Sequence, residues 1–197
     1  ALETYVAWNV HEIKPGVFFE APDFTVRAFP VFHRGSDSLG FRFEERARRP
    51  FLAEKADALG VPQGPQRGEL VAGEAITLED GRIIQPDDVL GDLLKGLCYV
   101  HIGDAGRTED LVAYCQGADA LVIESTYLEE ERELAEQFSH LTARQAASLA
   151  AEAQVKQLIL THFSRRYREK DVLAEAQAVF PNVQVARDLD TYQIKRG

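Results

Sequence analysis

From Gly96 onward the chain alternates apolar runs of strand length with stretches of helical periodicity, and this restricts it to a layered α/β architecture. The pattern predicts strands at 97–103, 119–124 and 157–161, and a last one at Val183-Gln184-Val185-Ala186. Helices are expected at about 108–116 (closed by Gly117), from Glu129, from Thr142 and at about 169–179. The Thr142 helix places Ala146, Leu149, Ala150 and Ala153 on one face. Thr142 with Gln145 three residues later forms a capping box, which fixes where that helix starts.

Upstream the reading is different. Residues 1–33 alternate short apolar runs with turns such as Lys14-Pro15-Gly16 and Pro22-Asp23, and read as successive strands. Leu39-Gly40-Phe41-Arg42-Phe43 reads as another. After Glu44 come the arginines Arg46, Arg48 and Arg49, then a Pro/Gly stretch from Leu59 to Gly68 that holds Gly64, Pro65 and Arg67. Ile76 to Ile84 reads as a small hairpin with an Asp-Gly turn. The expected organisation is one domain built from 1–43 and 92–197, with 44–91 an excursion from its core.

A net charge of -10 excludes a surface that coats nucleic acid generally, so any contact with RNA has to be local, through clustered arginines. No run is long and apolar enough to cross a membrane. Two cysteines, Cys98 and Cys115, are too few for a disulfide scaffold and read as buried thiols of a reducing cytoplasm. The start, Ala1-Leu2-Glu3-Thr4-Tyr5, has no basic region followed by an apolar stretch, so no signal peptide is expected. The chain holds no methionine, which fits a fragment or a processed start.

Three strand-like runs deliver His33, Asp104 and His162 at their C-terminal ends, where ligands collect in layered α/β folds. Imidazole suits Zn²⁺, and a carboxylate can bridge two ions, so the three fit a site for Zn²⁺ or Mn²⁺. Taken singly, each histidine can instead cap a strand by hydrogen-bonding a carbonyl. His11 in a polar turn and His101 inside a strand keep that simpler reading. His140, just before the Thr142 helix, is either a general acid or a surface histidine. Glu124 at the end of Ala120–Ile123 either fixes a histidine tautomer or faces water. Ser164, Arg165 and Arg166 form either a phosphate grip or a solvated loop, and the charge run 129–133 reads as a solvated helix face.

Taken in order, these segments resemble ribonuclease Z, the tRNA 3′-processing endonuclease family of the metallo-β-lactamase superfamily. The matching stretches are Phe29–His33, Gly60–Pro65, Thr77–Arg82, Gly103-Asp104, Ile123–Thr126, His140–Ala147 and Leu160–Tyr167. The resemblance implies an αββα sandwich, here partial, with a protruding tRNA-binding arm. It implies two zinc ions, with His33 on one, His162 on the other and Asp104 bridging. It assigns proton transfer to His140 supported by Glu124, phosphate binding to Ser164 and Arg166, and tRNA contact to Arg46, Arg48, Arg49, Gly64, Pro65 and Arg67. The implied partner is precursor tRNA, and the implied assembly is a cytoplasmic homodimer.

The chain departs from the family pattern at Ala105, where a threonine is usual, at Ile123 and Ser125 in a His-Glu-Ala-Thr motif, and at Leu141 in a His-Ser-Thr motif. It also lacks the superfamily's His-x-His-x-Asp-His loop, so it resembles the C-terminal two-thirds of the enzyme. Two further readings therefore stand beside a zinc-dependent endoribonuclease. One is a non-catalytic, tRNA-binding module. The other is a different hydrolase of the same superfamily, acting on a small ester.

Overall fold

The computed structural model describes residues 9–195, so the expected strands within the first eight residues lie outside the described part. The described chain divides into two compact units, one made of the residues up to Glu45 together with those from Leu97, the other of Arg46–Gly96.

The larger unit is built on a seven-stranded mixed sheet. Its strands in chain order are β1 (Gly16–Glu20), β2 (Phe24–His33) and β3 (Ser36–Glu45), followed after the second unit by four more. β1, β2 and β3 form an antiparallel meander, consistent with the β-branched and aromatic residues that fill them. The β2–β3 hairpin turns on Arg34 and Gly35, with φ of 47° and 70°, and its register pairs His33 with Ser36. Gly40 in β3 has to be glycine for a packing reason: a Cβ there would run into the ring of Phe29 on the neighbouring strand.

The second unit carries α1 (Ala53–Ala58), α2 (Pro65–Val71), β4 (Ile76–Thr77), β5 (Ile83–Ile84) and α3 (Pro86–Val89). Its small core is Ala56, Val61, Leu70, Ile76, Leu78, Ile84 and Val89. The three helices were not anticipated. They are short, and Pro/Gly punctuation hides them, although Pro65 and Pro86 both stand in first turns, where proline is favoured. The hairpin β4–β5 does form, with Gly81 at φ 85° and Leu78 donating its backbone N–H to the Arg82 carbonyl.

Back in the larger unit come β6 (Cys98–His101), α4 (Val112–Cys115), β7 (Ala120–Glu124), α5 (Arg132–Phe138), α6 (Ala143–Glu152), β8 (Leu158–Thr161), α7 (Glu169–Gln177) and β9 (Val183–Val185). β3 joins β6 antiparallel, and β6, β7, β8 and β9 are parallel neighbours, as strand–helix alternation requires. The Thr142 capping box is present: its hydroxyl accepts from the Gln145 N–H, and the Gln145 side chain accepts from the Thr142 N–H. The face of the sheet bearing Phe29, Val31, Val100, Leu121, Ile123, Leu158 and Leu160 packs with the alanine-rich face of α6 and with Val172 and Ala176 of α7 into one core. Seven parallel and antiparallel strands thus bring the ends of β2, β6, β7 and β8 to one edge of the unit.

A candidate metal centre with a buried acid–histidine pair

β2 ends at His33, and the tight turn after it holds the ring in place. Nδ1 of His33 donates to the Ser139 carbonyl at 2.8 Å, which leaves Nε2 as the lone-pair nitrogen. Asp104 follows β6 in a loop anchored by Ala105, whose N–H donates to buried Glu124 at 2.7 Å. One Asp104 oxygen lies 3.8 Å from His33 Nε2 and the other 3.6 Å from His162 Nδ1. His162 leaves β8 in a left-handed conformation, φ 54°, which a non-glycine residue adopts at a cost of about 1–2 kcal/mol.

These separations discriminate between two interpretations. A charge-assisted hydrogen bond closes to about 2.7–2.9 Å. Two ligands on one tetrahedral ion, each bound at about 2.1 Å, stand about 3.4 Å apart. The carboxylate therefore sits at ligand spacing from both imidazoles, with one oxygen turned to each. Donor chemistry and spacing fit a divalent cation at His33 and Asp104. At His162 the near nitrogen already contacts Thr126 Oγ1 at 2.9 Å, so a ligand role there needs Nε2 or a half-turn of the ring.

His140 stands between the two histidines, its ring 5.0 Å from that of His33 and 5.5 Å from that of His162. The sequence left it either a general acid or a surface histidine, just before the Thr142 helix. In the fold, Ser139 adopts φ 56° at the end of α5 and turns the chain so that His140 enters the site before α6 begins. Ligand atoms of His33, Asp104 and His140 lie within 4.8 Å of one another, as do those of Glu124, His140 and His162.

Glu124 is fully buried rather than facing water. It accepts from His140 Nδ1 at 2.8 Å, from the backbone N–H groups of Ala105, Thr126 and Leu141, and from the Thr126 hydroxyl at 2.5 Å. The geometry makes Nδ1 of His140 the donor and directs Nε2 to the open side. Thr126 was not singled out from sequence. Its one proton goes to Glu124, so it meets His162 Nδ1 as an acceptor, coupling the buried pair to the outer histidine.

Other sequence expectations need correction. His101 is the last residue of β6, not an interior one, and its Nδ1 lies 3.2 Å from the Tyr99 hydroxyl; desolvation holds its pKa below the ordinary histidine value. Arg166 is paired with Glu131 at 2.8 Å, and Ser164 accepts from the Arg166 N–H at a long 3.4 Å. The acidic run is not merely solvated: Glu129 accepts from the Thr142 hydroxyl at 2.8 Å. In the second unit Arg49 pairs with Asp87 and donates to the Gly91 carbonyl, while Arg67 pairs with Asp57 and donates to the Val61 carbonyl. Both guanidiniums thus bridge separate segments within the unit. Arg46–Gly96 contains seven basic and nine acidic residues, so it is not a basic body as a whole. Arg46 and Arg48 are exposed, as are Gly64 and Pro65 at the start of α2.

Residues 75–163 match the Beta-lactamase superfamily domain. A protein of Bradyrhizobium diazoefficiens named Ribonuclease Z is 47% identical over 178 residues, covering 90% of this chain and 59% of its own length. Among solved structures, the short form of human tRNase Z superposes with a TM-score of 0.53 at 22% identity, covering 91% of this chain and 46% of that one. The metallo-β-lactamase fold protein YhfI of Bacillus subtilis gives 0.54 at 16%, covering 86% and 49%. No helix among the described residues is long and apolar enough to cross a membrane. By sequence this chain is similar to the ribonuclease Z proteins and by fold to the metallo-β-lactamase structures, and it spans about three fifths of the length of the curated relatives it matches.

Proposed function

We propose that this chain is part of a zinc-dependent endoribonuclease that hydrolyses a phosphodiester bond to remove the 3′ trailer of precursor tRNA. The observation that carries the reading is the adjacency of two groups: Asp104 at ligand spacing from His33 and His162, and the Glu124–His140 pair between those histidines. His33, Asp104 and His162 would hold divalent cations, Zn²⁺ or Mn²⁺. Such cations supply Lewis acidity toward a phosphoryl oxygen and lower the pKa of water. His140 binds no ion in this reading. Glu124 accepts from Nδ1 and orients the ring, and the doubly protonated imidazolium gives its Nε2 proton to the departing 3′ oxygen, which leaves the neutral Nδ1–H form. Arg46, Arg48, Gly64 and Pro65 contact the tRNA away from the cut, and Ser164 lies on the phosphate path. The working form is a homodimer in the cytoplasm.

The test separates ligand from proton donor. In the full-length protein, His140→Ala should keep its metal by atomic emission and lose most turnover of precursor tRNA. His162→Ala should lose both. Metal loss in His140→Ala as large as in His162→Ala would reject the assignment. Cleavage of a small ester with no cleavage of precursor tRNA would favour a different hydrolase.

A further inference from the structure

Arg34 occupies a position that turn chemistry alone does not choose. It is the first of two residues in the β2–β3 hairpin loop, and both it and Gly35 have positive φ, as a type I′ turn requires. Asn, Asp or Gly suits that first position, whereas a long side chain with a Cβ is disfavoured there. The side chain nevertheless makes two specific contacts. Its Nε donates to the Phe138 carbonyl at 2.7 Å, and its guanidinium lies over the Phe138 ring at 5.6 Å. The neighbouring His33 grips the next carbonyl, that of Ser139. Two successive residues of the hairpin thus hold two successive carbonyls of the segment leading into His140.

Three other arginines of this unit are paired with carboxylates, Arg107 with Asp110, Arg132 with Glu129 and Arg166 with Glu131. Arg34 has no acidic partner among the described residues, and its terminal nitrogens make no hydrogen bond there. A planar guanidinium fixed at Nε, with both terminal NH₂ groups open, presents a fork that matches two oxygens of a phosphate. Its place beside a candidate ligand and beside the segment carrying His140 puts that fork at the edge of the site.

We propose that Arg34 binds an RNA backbone phosphate next to the bond that is cut, the role the sequence had given to Arg166. This rests on the endoribonuclease reading. The turn offers a clean test, because Arg34→Asn suits a type I′ turn better than arginine does. Binding of a short fluorescein-labelled single-stranded RNA is measured by anisotropy in EDTA over a range of salt, alongside thermal unfolding. Arg34→Asn should keep or raise Tm, weaken RNA binding about tenfold, and reduce the slope of log K against log salt by about 0.7, the loss of one phosphate contact. Arg34→Lys keeps the charge but not the Nε donor, and should recover less than half of the lost affinity. Unchanged affinity and slope in Arg34→Asn overturn the proposal and leave the RNA reading standing, whatever happens to Tm. Weaker binding with an unchanged slope overturns it too, since a folding defect lowers affinity without removing a phosphate contact. Absence of salt-dependent RNA binding by the unmodified protein overturns both.

Discussion

Glu124 shows how one buried carboxylate organises a site. Its five donors belong to Ala105 of the Asp104 loop, to Thr126, and to the successive residues His140 and Leu141, so three segments converge on it. Glu124→Gln changes one acceptor into a donor, and that donor then faces another donor in a dry site. A loss of about 1–3 kcal/mol of stability is expected, measured by urea unfolding, with the His140 tautomer released as well. An unchanged midpoint would show that the pocket rearranges freely. Cys115 gives a second case. Burial, only partly offset by the charge of Arg42, pushes its thiol up to about 12. The unfolded chain ionises near pH 9 and the native one does not, so the native state holds more protons in between. Stability should therefore fall by about 1.4 kcal/mol per pH unit from about pH 9 toward 12. At pH 8 the native thiol should resist a disulfide reagent that labels the unfolded chain at once.

At the scale of elements, the start of α6 is the most informative. Thr142 is fully buried, caps the helix through Gln145, and donates its hydroxyl to Glu129. Glu175 of α7 accepts from the N–H groups of Arg144 and Glu129, fastening the same corner from a second helix. Thr142→Ala should cost about 1–2 kcal/mol, whereas Thr142→Ser, which keeps the oxygen, should cost less. Denaturation midpoints of the two variants check this, and equal losses would assign the effect to packing of the methyl group. The capping box was legible because it depends on residues three apart. The corner contacts were not, because Glu175 is distant in sequence and nothing local marks it.

At the scale of the molecule, the second unit is inserted where Glu45 and Leu97 meet. The Glu45 N–H donates to the Leu97 carbonyl at 2.8 Å, and the Leu97 N–H donates to the Glu45 carboxylate at 3.1 Å. Replacing Arg46–Gly96 by a short Gly/Ser linker should therefore leave the larger unit folded by circular dichroism, with precursor-tRNA binding weakened. Collapse of the whole fold would make the insertion structural. The sheet offers another prediction. By register Val26 and Phe43 share one face with Tyr99, none of them in the main core, and Phe18, Phe19, Phe24, Phe41 and Phe43 form ring contacts outside it. Phe18 and Phe19 are 41% and 50% exposed. An aromatic face of this kind favours association, so light scattering on the isolated chain should detect oligomers or aggregates. A monodisperse monomer would contradict that.

What the amino-acid order determined by itself was whatever short-range periodicity encodes. The parallel strands, the α6 face, its cap and the Asp-Gly hairpin all follow from patterns a few residues long, and His33, Asp104 and His162 stood out as polar ends of apolar runs. The tertiary structure alone decided which polar side chains meet. Arg49, Arg67 and Arg166 looked alike in sequence to any free arginine, yet acidic partners 38, 10 and 35 residues away engage them. Glu124 and His140, 16 residues apart, become one buried pair. Arg34, inconspicuous in a list of residues, is left with an open guanidinium beside the site. Hydrogen bonds and ion pairs are satisfied by proximity in space, and only the folded chain specifies that proximity.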